Sequence, residues 1–460
     1  MKNCAVILAG GEGTRMKSAK PKVMSEVLFK PMLDWVICAV KKAGIEDICV
    51  VTGYAAEYIK DHISEDIKTV HQAERKGTGH AVMQAADFIK DHTGGNVIVL
   101  NGDAPFVDAE TILNAIAYHN ERENDATVIS AKVKNSFGYG RIVRDENDNI
   151  KAIVEENDAD EATKLIDEVN SGAYCFSADV LCDVLTKITP NNKKGEYYLT
   201  DAIAIILSSD GKAGAYNAGN EKTVLGANSR SQLNGLNELA RAEILEMHMD
   251  NGVDIPCKDG VIIGPDCKIG RDTRILPGTI ICGDVEIGEN CVIGPNSYVQ
   301  NATVGNNVSF NNAQIRNAKI LDNATIGPFV QIRPDSVIGD GVHLGNFVEV
   351  KNSTIDSDTH VSHLTYVGDS DVGKNVNFGC GVVTVNFNGK SKNRTTIKDR
   401  AFIGCNTNLV APVTIGENAY TAAGSTVTED VPDNSLAIAR ERQTVKEGWV
   451  KEKQPYRKKV

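Results

Sequence analysis

The feature that most constrains this sequence is an aliphatic residue that recurs every six positions between about Val261 and Val427. A short fixed period means that no repeat can bury its own apolar side chain, so consecutive repeats must stack into one continuous core. Six residues are too few for a helical hairpin. The period therefore predicts a β-solenoid in which one residue of each short strand points inward, and the residue after it turns the corner. That next residue is usually glycine, which has no Cβ atom and tolerates unusual dihedral angles. The aliphatic-glycine pairs are Ile263-Gly264, Ile269-Gly270, Ile287-Gly288, Ile293-Gly294, Ile326-Gly327, Ile338-Gly339, Leu344-Gly345, Val372-Gly373, Ile403-Gly404 and Ile415-Gly416.

Interruptions of the repeat indicate where function should be sought, because solenoids carry function on insertions and faces rather than in the repeat itself. The period shortens by one residue between Val350 and Ile355 and again between Val367 and Val372. The largest interruption is the polar segment 386–396, NFNGKSKNRTT. We expect this segment to leave the solenoid as an exposed loop.

The net charge of −12 at pH 7 narrows the classes of function. Proteins that bind nucleic acids or membrane surfaces depend on broad basic fields, so we expect neither partner, and anionic substrates would need local clusters of Lys and Arg. No apolar run is long enough to cross a membrane, and the eleven cysteines show no CxxC pair or metal-ligand spacing. We therefore expect a cytoplasmic protein whose thiols serve mainly as small buried apolar residues.

The first half of the sequence alternates short apolar runs with helical patterns, which is typical of a parallel α/β sheet. Residues 4–8 (CAVIL) predict a buried strand that leads into a glycine-rich turn, and Pro31 opens a predicted helix. The apolar run 96–100 predicts a further strand, which ends in Asn101-Gly102-Asp103. Ligands of open α/β sheets lie at the carboxyl ends of such strands. We therefore expect the glycine-rich turn and Asp103 to share one crevice.

The glycine-rich turn, residues 9–16 (AGGEGTRM), is compatible with two roles. It matches neither GxGxxG nor GxxxxGK[ST], and a plain strand-to-helix turn would also explain it. A phosphate-binding role gains support from Arg15 and Lys22, because the N–H groups of such a turn can wrap a triphosphate while two cations supply charge. The turn and the following Pro21-Lys22 resemble the sugar-nucleotidyltransferase signature, LAxGxGTRM followed by PK. This resemblance implies that Arg15 and Lys22 are catalytic and that the nucleotide is also contacted by Leu8, Ala9, Gly10 and Gly11.

Further segments of the first half resemble the uridylyltransferases of this group. Gln72-Ala73-Glu74 with Gly77-Thr78-Gly79-His80 resembles their base-recognition segment, which implies that Gln72, Gly77 and Thr78 contact uracil. Thr78 is equally suited to be the N-cap of an apolar helix from Ala81 to Ile89. Later segments (GYGR, VE, NSG and GANSR) resemble the family's sugar and metal segments. They imply that Gly140, Glu155 and Asn170 bind N-acetylglucosamine. They also imply that Asp103 and Asn228 bind Mg²⁺.

Polar residues cluster around the interruptions of the repeat and are not explained by a scaffold. The stretch His363-Leu364-Thr365-Tyr366-Val367-Gly368-Asp369, with Asn377 and the loop from Asn386, resembles the acetyltransferase half of the bacterial enzymes that make UDP-N-acetylglucosamine from glucosamine-1-phosphate. His343 and His360 keep a structural interpretation. The resemblance implies that His363 is the general base. It assigns the sugar phosphate to Arg333, Lys351, Tyr366 and Asn377, and acetyl-CoA to Cys380, Asn386, Phe387, Cys405, Ala423 and Arg440.

Taken together, the resemblance extends from Leu8 to Trp449 and identifies the chain as a member of this bifunctional family. It implies a Rossmann-like α/β nucleotidyltransferase domain over residues 1–228, a helical linker over 229–250, and a left-handed parallel β-helix with a C-terminal arm over 251–460. It also implies a homotrimer that uses acetyl-CoA, UTP and Mg²⁺ to acetylate glucosamine-1-phosphate and then to form UDP-N-acetylglucosamine for cell-wall synthesis. The alternative is a pyrophosphorylase with one activity and a regulatory β-helix.

Four positions depart from the family's pattern. Gly10 stands where alanine is usual, a change that also occurs in nucleotidyltransferases for other bases. Cys380, Phe387 and Cys405 stand where alanine, tyrosine and serine are usual, so side-chain contacts to CoA would differ. We expect these two thiols to lie in the acetyl-CoA groove, and we expect most cysteines of the first domain to be buried.

Overall fold

The computed structural model describes residues 2–192 and 194–455. The chain divides into two compact units, 1–240 and 241–460. The end of the predicted C-terminal arm, 456–460, lies outside the described residues. In the ranges that are described, no helix is both long and apolar enough to cross a membrane.

The first unit is an α/β structure around one sheet. Its strands are β1 (Cys4–Ala9), β2 (Glu26–Val27), β3 (Lys30–Pro31), β4 (Asp47–Thr52), β5 (Lys68–His71), β6 (Asn96–Asn101), β7 (Ala126–Lys132), β8 (Arg141–Arg144), β9 (Ile150–Val154), β10 (Glu168–Ser177) and β11 (Ala213–Asn217). Its helices are α1 (Met32–Lys42), α2 (Ala56–Lys60), α3 (Thr78–Met83), α4 (Ala86–Lys90), α5 (Ala109–Glu121), α6 (Glu161–Lys164), α7 (Ala178–Leu185) and α8 (Asp201–Ser208). Short 3-10 turns cover Thr14–Met16, Lys22–Met24 and Glu221–Val224.

The sheet has the order β11-β7-β10-β6-β1-β4-β5, with β8 and β9 paired at its side. β1 lies parallel between β4 and β6, at the centre of the sheet. Its alternate side chains enter two different core clusters: Cys4 and Val6 pack on one face, Ala5 and Ile7 on the other. A strand covered on both faces needs a continuous apolar run, which explains the sequence CAVIL.

One sequence-based prediction in this unit is wrong. The predicted helix from Ala81 to Ile89 is divided into α3 and α4, and the N-cap of α3 is Gly77, with φ of 107°, rather than Thr78. The Thr78 Oγ1 atom instead accepts a hydrogen bond from the N–H of Leu199, at 3.1 Å. The Thr78 hydroxyl, which the local sequence pattern assigned to capping, is therefore used in a tertiary hydrogen bond instead.

The helix α9 (Arg230–Asp250) covers the predicted linker, and the division between the two units falls within it, after Ala240. The second unit then consists almost entirely of short strands. They are β12 (Ile262–Ile263), β13 (Lys268–Ile269), β14 (Arg274–Ile275), β15 (Ile280–Cys282), β16 (Glu286–Ile287), β17 (Val292–Ile293), β18 (Tyr298–Gln300), β19 (Thr303–Val304), β20 (Ser309–Phe310), β21 (Ala313–Arg316), β22 (Ala318–Ile320), β23 (Thr325–Ile326), β24 (Val330–Ile332), β25 (Ser336–Ile338), β26 (His343–Asn346), β27 (Glu349–Lys351), β28 (Thr354–Ile355), β29 (His360–His363), β30 (Tyr366–Gly368), β31 (Ser370–Val372), β32 (Asn377–Phe378), β33 (Val383–Val385), β34 (Thr395–Ile397), β35 (Phe402–Ile403), β36 (Asn408–Val410), β37 (Val413–Ile415), β38 (Tyr420–Thr421), β39 (Thr426–Val427) and β40 (Leu436–Ala437). A short helix, α10 (Trp449–Lys453), follows them.

Every third strand belongs to the same parallel sheet, so three strands make one coil of a solenoid. One sheet runs from β12 to β39, the second from β13 to β37, and the third from β14 through β38 to β40. The repeating aliphatic residues point inward, as Ile263, Ile338 and Ile403 illustrate by being fully buried. The predicted exposed loop leaves the solenoid between β33 and β34.

The repeated glycines were expected to provide unusual dihedral angles at the corners, and this expectation is only partly right. Most corners with left-handed dihedral angles carry Asn or Asp, for example Asn290, Asn307 and Asp358, rather than the glycine after the aliphatic residue. That glycine is needed for close approach between coils: a Cβ on Gly270 would lie 2.7 Å from the carbonyl carbon of Gly288. Asn and Asp tolerate the left-handed region better than other side chains, so the corner itself does not require glycine.

Candidate active sites

The glycine-rich turn and Asp103 lie at one edge of the sheet. Leu8 of β1 is paired in register with Asn101 of β6, and the N–H of Gly102 donates to the carbonyl of Leu8 at 2.9 Å. Both strands run parallel, so their carboxyl ends open into the same crevice. Two adjoining cavities of about 450 and 460 Å³ fill this crevice, and both are lined by Leu8, Thr78 and Asp103.

Three predicted site residues meet at the floor of the crevice. The Nζ atom of Lys22 lies 2.5 Å from Asp103 Oδ2 and 3.2 Å from Asn228 Oδ1. The side chains of Lys22 and Asp103 are 18% and 15% exposed, so the ammonium is partly shielded from water. Gly226 also passes close to Asp103, since a Cβ there would lie 3.1 Å from the Asp103 carbonyl oxygen. Arg15 lines the same cavity from the turn Thr14–Met16.

Asp103 and Asn228 form a donor set that fits Mg²⁺. Their two oxygen atoms converge on a single cation, the Lys22 ammonium, and both belong to the ligand type that Mg²⁺ prefers. Across the described ranges, no three His, Cys, Asp or Glu side chains form a group that could hold a metal ion. A magnesium ion bound here would thus take its other ligands from water and from substrate phosphates.

At one end of the crevice, Gln72 is buried and oriented by its neighbours. Its Nε2 atom donates to the carbonyl of Gly77 at 3.2 Å and lies 3.1 Å from His80 Nδ1. The backbone of Gly77 passes so close to Tyr197 that a Cβ would meet the Tyr197 carbonyl oxygen at 2.5 Å. A Cβ on Gly10 would lie 2.9 Å from Gln72 Oε1. With Nε2 directed at Gly77 and His80, the amide presents its Oε1 atom as an acceptor to a flat heterocycle.

At the other end, Gly140, Glu155 and Asn170 lie together. The N–H of Asn170 donates to the carbonyl of Gly140 at 2.8 Å, and a Cβ on Gly140 would lie 3.6 Å from Glu155 Oε1. Thr200 donates to Glu155 at 3.4 Å. Burial raises the pKa of Glu155, and the hydrogen bond from Thr200 only partly offsets this. These polar groups converge on one wall of the cavity.

The loop that carries Gly140 is held by an ion pair between a buried arginine and a partly exposed glutamate, which sequence reasoning missed. Arg141 is 2% exposed, and its guanidinium lies 2.8 Å from Glu156 and donates to the carbonyl of Tyr139. Glu156 also accepts a hydrogen bond from the N–H of Gly138 at 3.0 Å. Because Arg141 binds the carbonyl of Tyr139 while Glu156 binds the N–H of Gly138, the ion pair ties the two sides of the loop 138–140 together. The motif GYGR contains Arg141, but nothing in its local pattern distinguishes a buried arginine from an exposed one.

In the solenoid, His363 and three acetyl-CoA candidates form one column along a corner. Val361, Phe378, Ile403 and Thr421 are paired in register from coil to coil. The residues two positions further on are therefore stacked as well, and they are His363, Cys380, Cys405 and Ala423. The residue after each of them has positive φ, which identifies the same turn in every coil. Arg440 lies at the end of this column, with its Cδ 3.8 Å from where a Cβ on Gly424 would stand.

The sugar-phosphate candidates divide between two faces. Lys351 and Tyr366 lie on β27 and β30 of one sheet, and Arg333 directly follows β24 of that sheet, whereas Asn377 lies on β32 of the sheet that contains His363. Arg333 forms an ion pair with Glu349 at 2.8 Å. Within this one chain, His363 and Tyr366 thus stand on opposite sides of the corner at Leu364.

Two further residues strengthen the first of these faces. Lys392, in the exposed loop, lies beside Lys351, and the side-chain hydrogen bond and the charge of that neighbour lower the pKa of Lys392. Asp369 accepts hydrogen bonds from Asn352 and Asn386, and Asn386 also donates to Tyr366 Oη at 3.3 Å. Burial acts to raise the pKa of Asp369, but these hydrogen bonds outweigh it and lower the pKa. Asp369 therefore fixes Asn386 against Tyr366, while Phe387 beside it remains 57% exposed. The polar sequence of the loop indicated a site, but only the structure shows that Lys392 of this loop lies beside Lys351.

Comparison with known proteins agrees with this division. Residues 4–222 match the nucleotidyl transferase family, and residues 266–301, 317–352 and 394–429 match the bacterial transferase hexapeptide (six repeats) family. The predicted fold class, a Rossmann-like α/β domain followed by a left-handed parallel β-helix, is thereby confirmed.

Curated relatives match almost the whole chain. The Bifunctional protein GlmU of Acetivibrio thermocellus is 48% identical over 446 residues, which are 97% of this chain and 96% of the relative. The protein of the same name from Caldanaerobacter subterraneus is 48% identical, over 98% of both chains. The one from Clostridioides difficile is 45% identical, over 98% of this chain and 97% of its own.

Proposed function

This chain belongs to the family of bifunctional GlmU proteins, and we propose how its residues divide the two activities of that family. The protein is a glucosamine-1-phosphate N-acetyltransferase and a UDP-N-acetylglucosamine diphosphorylase, and its product is a precursor for cell-wall synthesis. A pyrophosphorylase with one activity is not favoured, because relatives named as bifunctional match both units. For the domains we propose 1–228, a linker 229–250, and 251–460. The observation that supports our assignment is that the predicted residues of the first unit meet in one crevice, while those of the second unit lie on two faces of the solenoid.

In the first unit, the crevice is proposed to bind UTP and N-acetylglucosamine-1-phosphate. Gln72 and the backbone at Gly77-Thr78 would contact uracil, and the turn from Leu8 to Gly11 would wrap the phosphates. At the other end, the sugar would lie against Gly140, Glu155 and Asn170. A phosphate oxygen of the sugar phosphate attacks the α-phosphorus of UTP in line, the bond to the β-phosphate breaks, and pyrophosphate leaves. Arg15 and Lys22 hold the phosphates and neutralise the charge that develops on them.

Asp103 and Asn228 are proposed to hold Mg²⁺. When bound, the ion would add positive charge at the phosphates of UTP. The oxygen atoms of both residues already converge on the Lys22 ammonium, which supports a cation site at this point.

In the second unit, the column that begins at His363 is proposed to carry acetyl transfer. His363 takes a proton as the 2-amino group of glucosamine-1-phosphate attacks the thioester carbon, and CoA leaves as the thiol. The thioester would lie along Cys380, Cys405 and Ala423, towards Arg440 and close to Asn386 and Phe387. Arg333, Lys351 and Lys392 supply positive charge that suits a phosphate, Tyr366 beside them adds a hydroxyl, and Asn377 would orient the sugar.

This site is proposed to be completed by a neighbouring copy of the chain in a homotrimer. Phe329, Phe347 and Leu364 occupy the same corner of three successive coils, and each is more than half exposed. All three have left-handed dihedral angles, which cost bulky residues about 1–2 kcal/mol each. The rings of Phe329 and Phe347 stack at 5.3 Å. These three residues form an exposed, strained apolar ladder at the corner between the sheet that carries His363 and the sheet that carries Tyr366. Such a ladder suits a contact between copies of the chain. In that contact, the His363 side of one copy would meet the Tyr366 side of the next.

The reaction itself tests the proposal. We place the enzyme in the cytoplasm, where reduced cysteines such as these persist. The purified protein should be supplied with glucosamine-1-phosphate, acetyl-CoA, UTP and Mg²⁺, and each component should be omitted in turn. Free CoA should require only the first two substrates, and pyrophosphate should require UTP, Mg²⁺ and an acetylated sugar phosphate. Pyrophosphate without any acetyl transfer would contradict the assignment of the second unit.

A further inference from the structure

Cys380 and Cys405 are distant in sequence but neighbours in space. The exposed loop separates them along the chain, yet the register of Phe378 with Ile403 stacks them in adjacent coils. The N–H of Asn406 donates to the carbonyl of Cys380 at 2.7 Å, which holds the two turns together. Paired strands lie about 4.8 Å apart, and disulfides join residues whose Cα atoms are about 4.4–6.8 Å apart. The spacing of the two turns therefore falls within disulfide range.

The position of the Cys405 sulfur supports the pairing. A Cβ on Gly379 would lie 2.5 Å from the Cys405 nitrogen and 2.9 Å from its Sγ atom, so Cys405 packs closely on the residue that precedes Cys380. Gly379 has no side chain, and this lets the backbone of Cys405 pack directly against the turn that carries Cys380. Cys405 is exposed and Cys380 is partly exposed, so a small oxidant can reach both.

Most of the other thiols of the protein are less accessible to oxidation. All eleven cysteines lie in the described part of the chain, and six of them are buried. Burial raises the pKa of Cys4 and of Cys267 to about 12, and that of Cys49 to about 11. Because the thiolate is the reactive form, these groups react slowly even where two of them are close.

We propose that Cys380 and Cys405 form a reversible disulfide that closes the acetyl-CoA end of the His363 column. The Cys405 thiolate attacks a low-molecular-weight disulfide, whose S–S bond breaks to release one thiolate and leave a mixed disulfide on Cys405. The Cys380 thiolate then attacks the Cys405 sulfur and expels the second thiolate. In total two protein thiols are oxidised, one external disulfide is reduced to two thiols, and the two protons pass to the leaving groups. An exposed disulfide between two turns of the solenoid is readily reduced again.

The functional consequence rests on the proposed acetyl-CoA site. In the column, Cys380 stands one coil from His363 and Cys405 two coils from it, so a bond between their sulfurs changes the wall along which the thioester would lie. Oxidation should therefore inhibit acetyl transfer and leave uridylyl transfer unchanged. Bound acetyl-CoA should slow the oxidation, because it would cover the same wall.

Peptide mapping tests the bond independently of activity. The full-length protein is incubated with oxidised glutathione, remaining thiols are alkylated, and trypsin is added without a reductant. Trypsin cleaves after Lys374, Lys390, Arg400 and Arg440, so Cys380 and Cys405 fall in separate peptides, 375–390 and 401–440. We expect these two peptides to be joined in the oxidised protein and separated by dithiothreitol.

Activity is measured on the same samples, with C380A, C405S and the control C257S, which removes another partly exposed thiol of the second unit. Oxidation should lower acetyl transfer by about tenfold or more in the unsubstituted protein and in C257S, reversibly, and should have no such effect in C380A or C405S. Separate glutathione adducts without joined peptides, or joined peptides with unchanged acetyl transfer, would overturn the proposal. If the reduced enzyme had no acetyl transfer, the proposed function would fail, while the joined peptides would still decide whether the pair forms.

Discussion

The two sites of this protein are assembled in different ways. In the first unit, Lys22 meets partners 81 and 206 positions away in sequence, and the side chains satisfy one another within one crevice. In the second unit, His363, Cys380, Cys405 and Ala423 are stacked on a corner and open to the side. Segments of one chain surround the crevice of the first unit, whereas the column of the second unit lines only one side of a potential binding site. A solenoid aligns residues well but does not surround a substrate, so it needs a second surface.

This contrast predicts that substitutions in the two units should separate the two activities. The largest effect is expected for Asp103→Ala. Loss of the carboxylate removes half of the proposed Mg²⁺ donor set and leaves Lys22 without its ion-pair partner, so UDP-sugar formation should fall by about 10³-fold or more. Acetyl transfer should stay unchanged, which also shows that the variant is folded.

The control for this variant is Asp148→Ala, which removes an exposed carboxylate of the same unit. Both activities should be measured separately, as pyrophosphate released from supplied N-acetylglucosamine-1-phosphate and as CoA released from acetyl-CoA. An equal loss of both activities in a folded Asp103→Ala protein would mean that the two sites are not independent.

The reverse separation is expected for His363→Ala. Loss of a general base should lower acetyl transfer by about 10²- to 10⁴-fold, while uridylyl transfer from supplied N-acetylglucosamine-1-phosphate persists. His360→Ala is the matched control, because His360 lies on the same strand but outside the column. If CoA release in His363→Ala stays within a few-fold of the unsubstituted protein, His363 is structural.

Substitution of the apolar ladder tests whether the open column needs a neighbour. Phe347→Glu places a charge on a surface that we expect to be buried between copies, so the mass in light scattering should fall towards that of one chain, 49.5 kDa. Acetyl transfer should fall by about tenfold or more, and uridylyl transfer should not. Val292→Glu is the control, since Val292 is also an exposed apolar residue of the solenoid. An unchanged mass for Phe347→Glu would exclude this corner as the contact.

The sequence predicted the crevice better than the column for a physical reason. Carboxyl ends of parallel strands always meet at one edge of a sheet, so two strand ends sufficed to bring the glycine-rich turn and Asp103 together. In a solenoid, the number of residues in each coil determines which residues of adjacent coils are stacked. The loop at 386–394 adds residues to the coil between Cys380 and Cys405, so their stacking does not follow from the six-residue period. The six-residue period therefore predicted which residues point inward but not that these two cysteines are stacked.

Other misses have the same origin in tertiary contacts. Thr78 satisfied the local rule for an N-cap, but the N–H of Leu199 binds its hydroxyl. Arg141 and Lys392 were ordinary cations in the sequence, and only the fold buries the first and brings the second beside Lys351. Most cysteines of the first domain were expected to be buried; Cys4, Cys49 and Cys175 are, while Cys38 and Cys182 are partly exposed.

A buried histidine in the core of the first unit should make the stability of that unit sensitive to acid. His119 on α5 is 2% exposed, and burial lowers its pKa to about 4. The unfolded chain binds a proton near pH 6.5, so the stability contributed by neutral His119 is present at pH 7 and is lost as the pH falls towards 4. Between pH 7 and pH 5 this group alone should cost about 2 kcal/mol.

His119→Gln isolates this contribution. Urea unfolding at both pH values should be followed through tryptophan fluorescence in a Trp449→Phe background, which leaves Trp35 on α1 of the first unit as the reporter. The free energy of unfolding of the variant should fall less between pH 7 and pH 5 than that of the unsubstituted protein. Equal acid sensitivity of the two proteins would show that His119 does not titrate as its burial implies.

The smallest effect is expected where the crevice departs from the family's pattern, at Gly10. An added methyl group would lie 2.9 Å from Gln72 Oε1 but no closer than 3.7 Å to the backbone of Gly53, so it meets only the end of a flexible side chain. Gly10→Ala should therefore leave the free energy of unfolding within about 0.5 kcal/mol and raise the KM for UTP by about two- to fivefold, because Gln72 must turn its amide. Gln72→Ala alone should raise this KM further, and Gly10→Ala added to it should have no additional effect, since the methyl group then meets nothing. If Gly10→Ala raises the KM equally with and without Gln72, the turn acts on the phosphates rather than through base recognition.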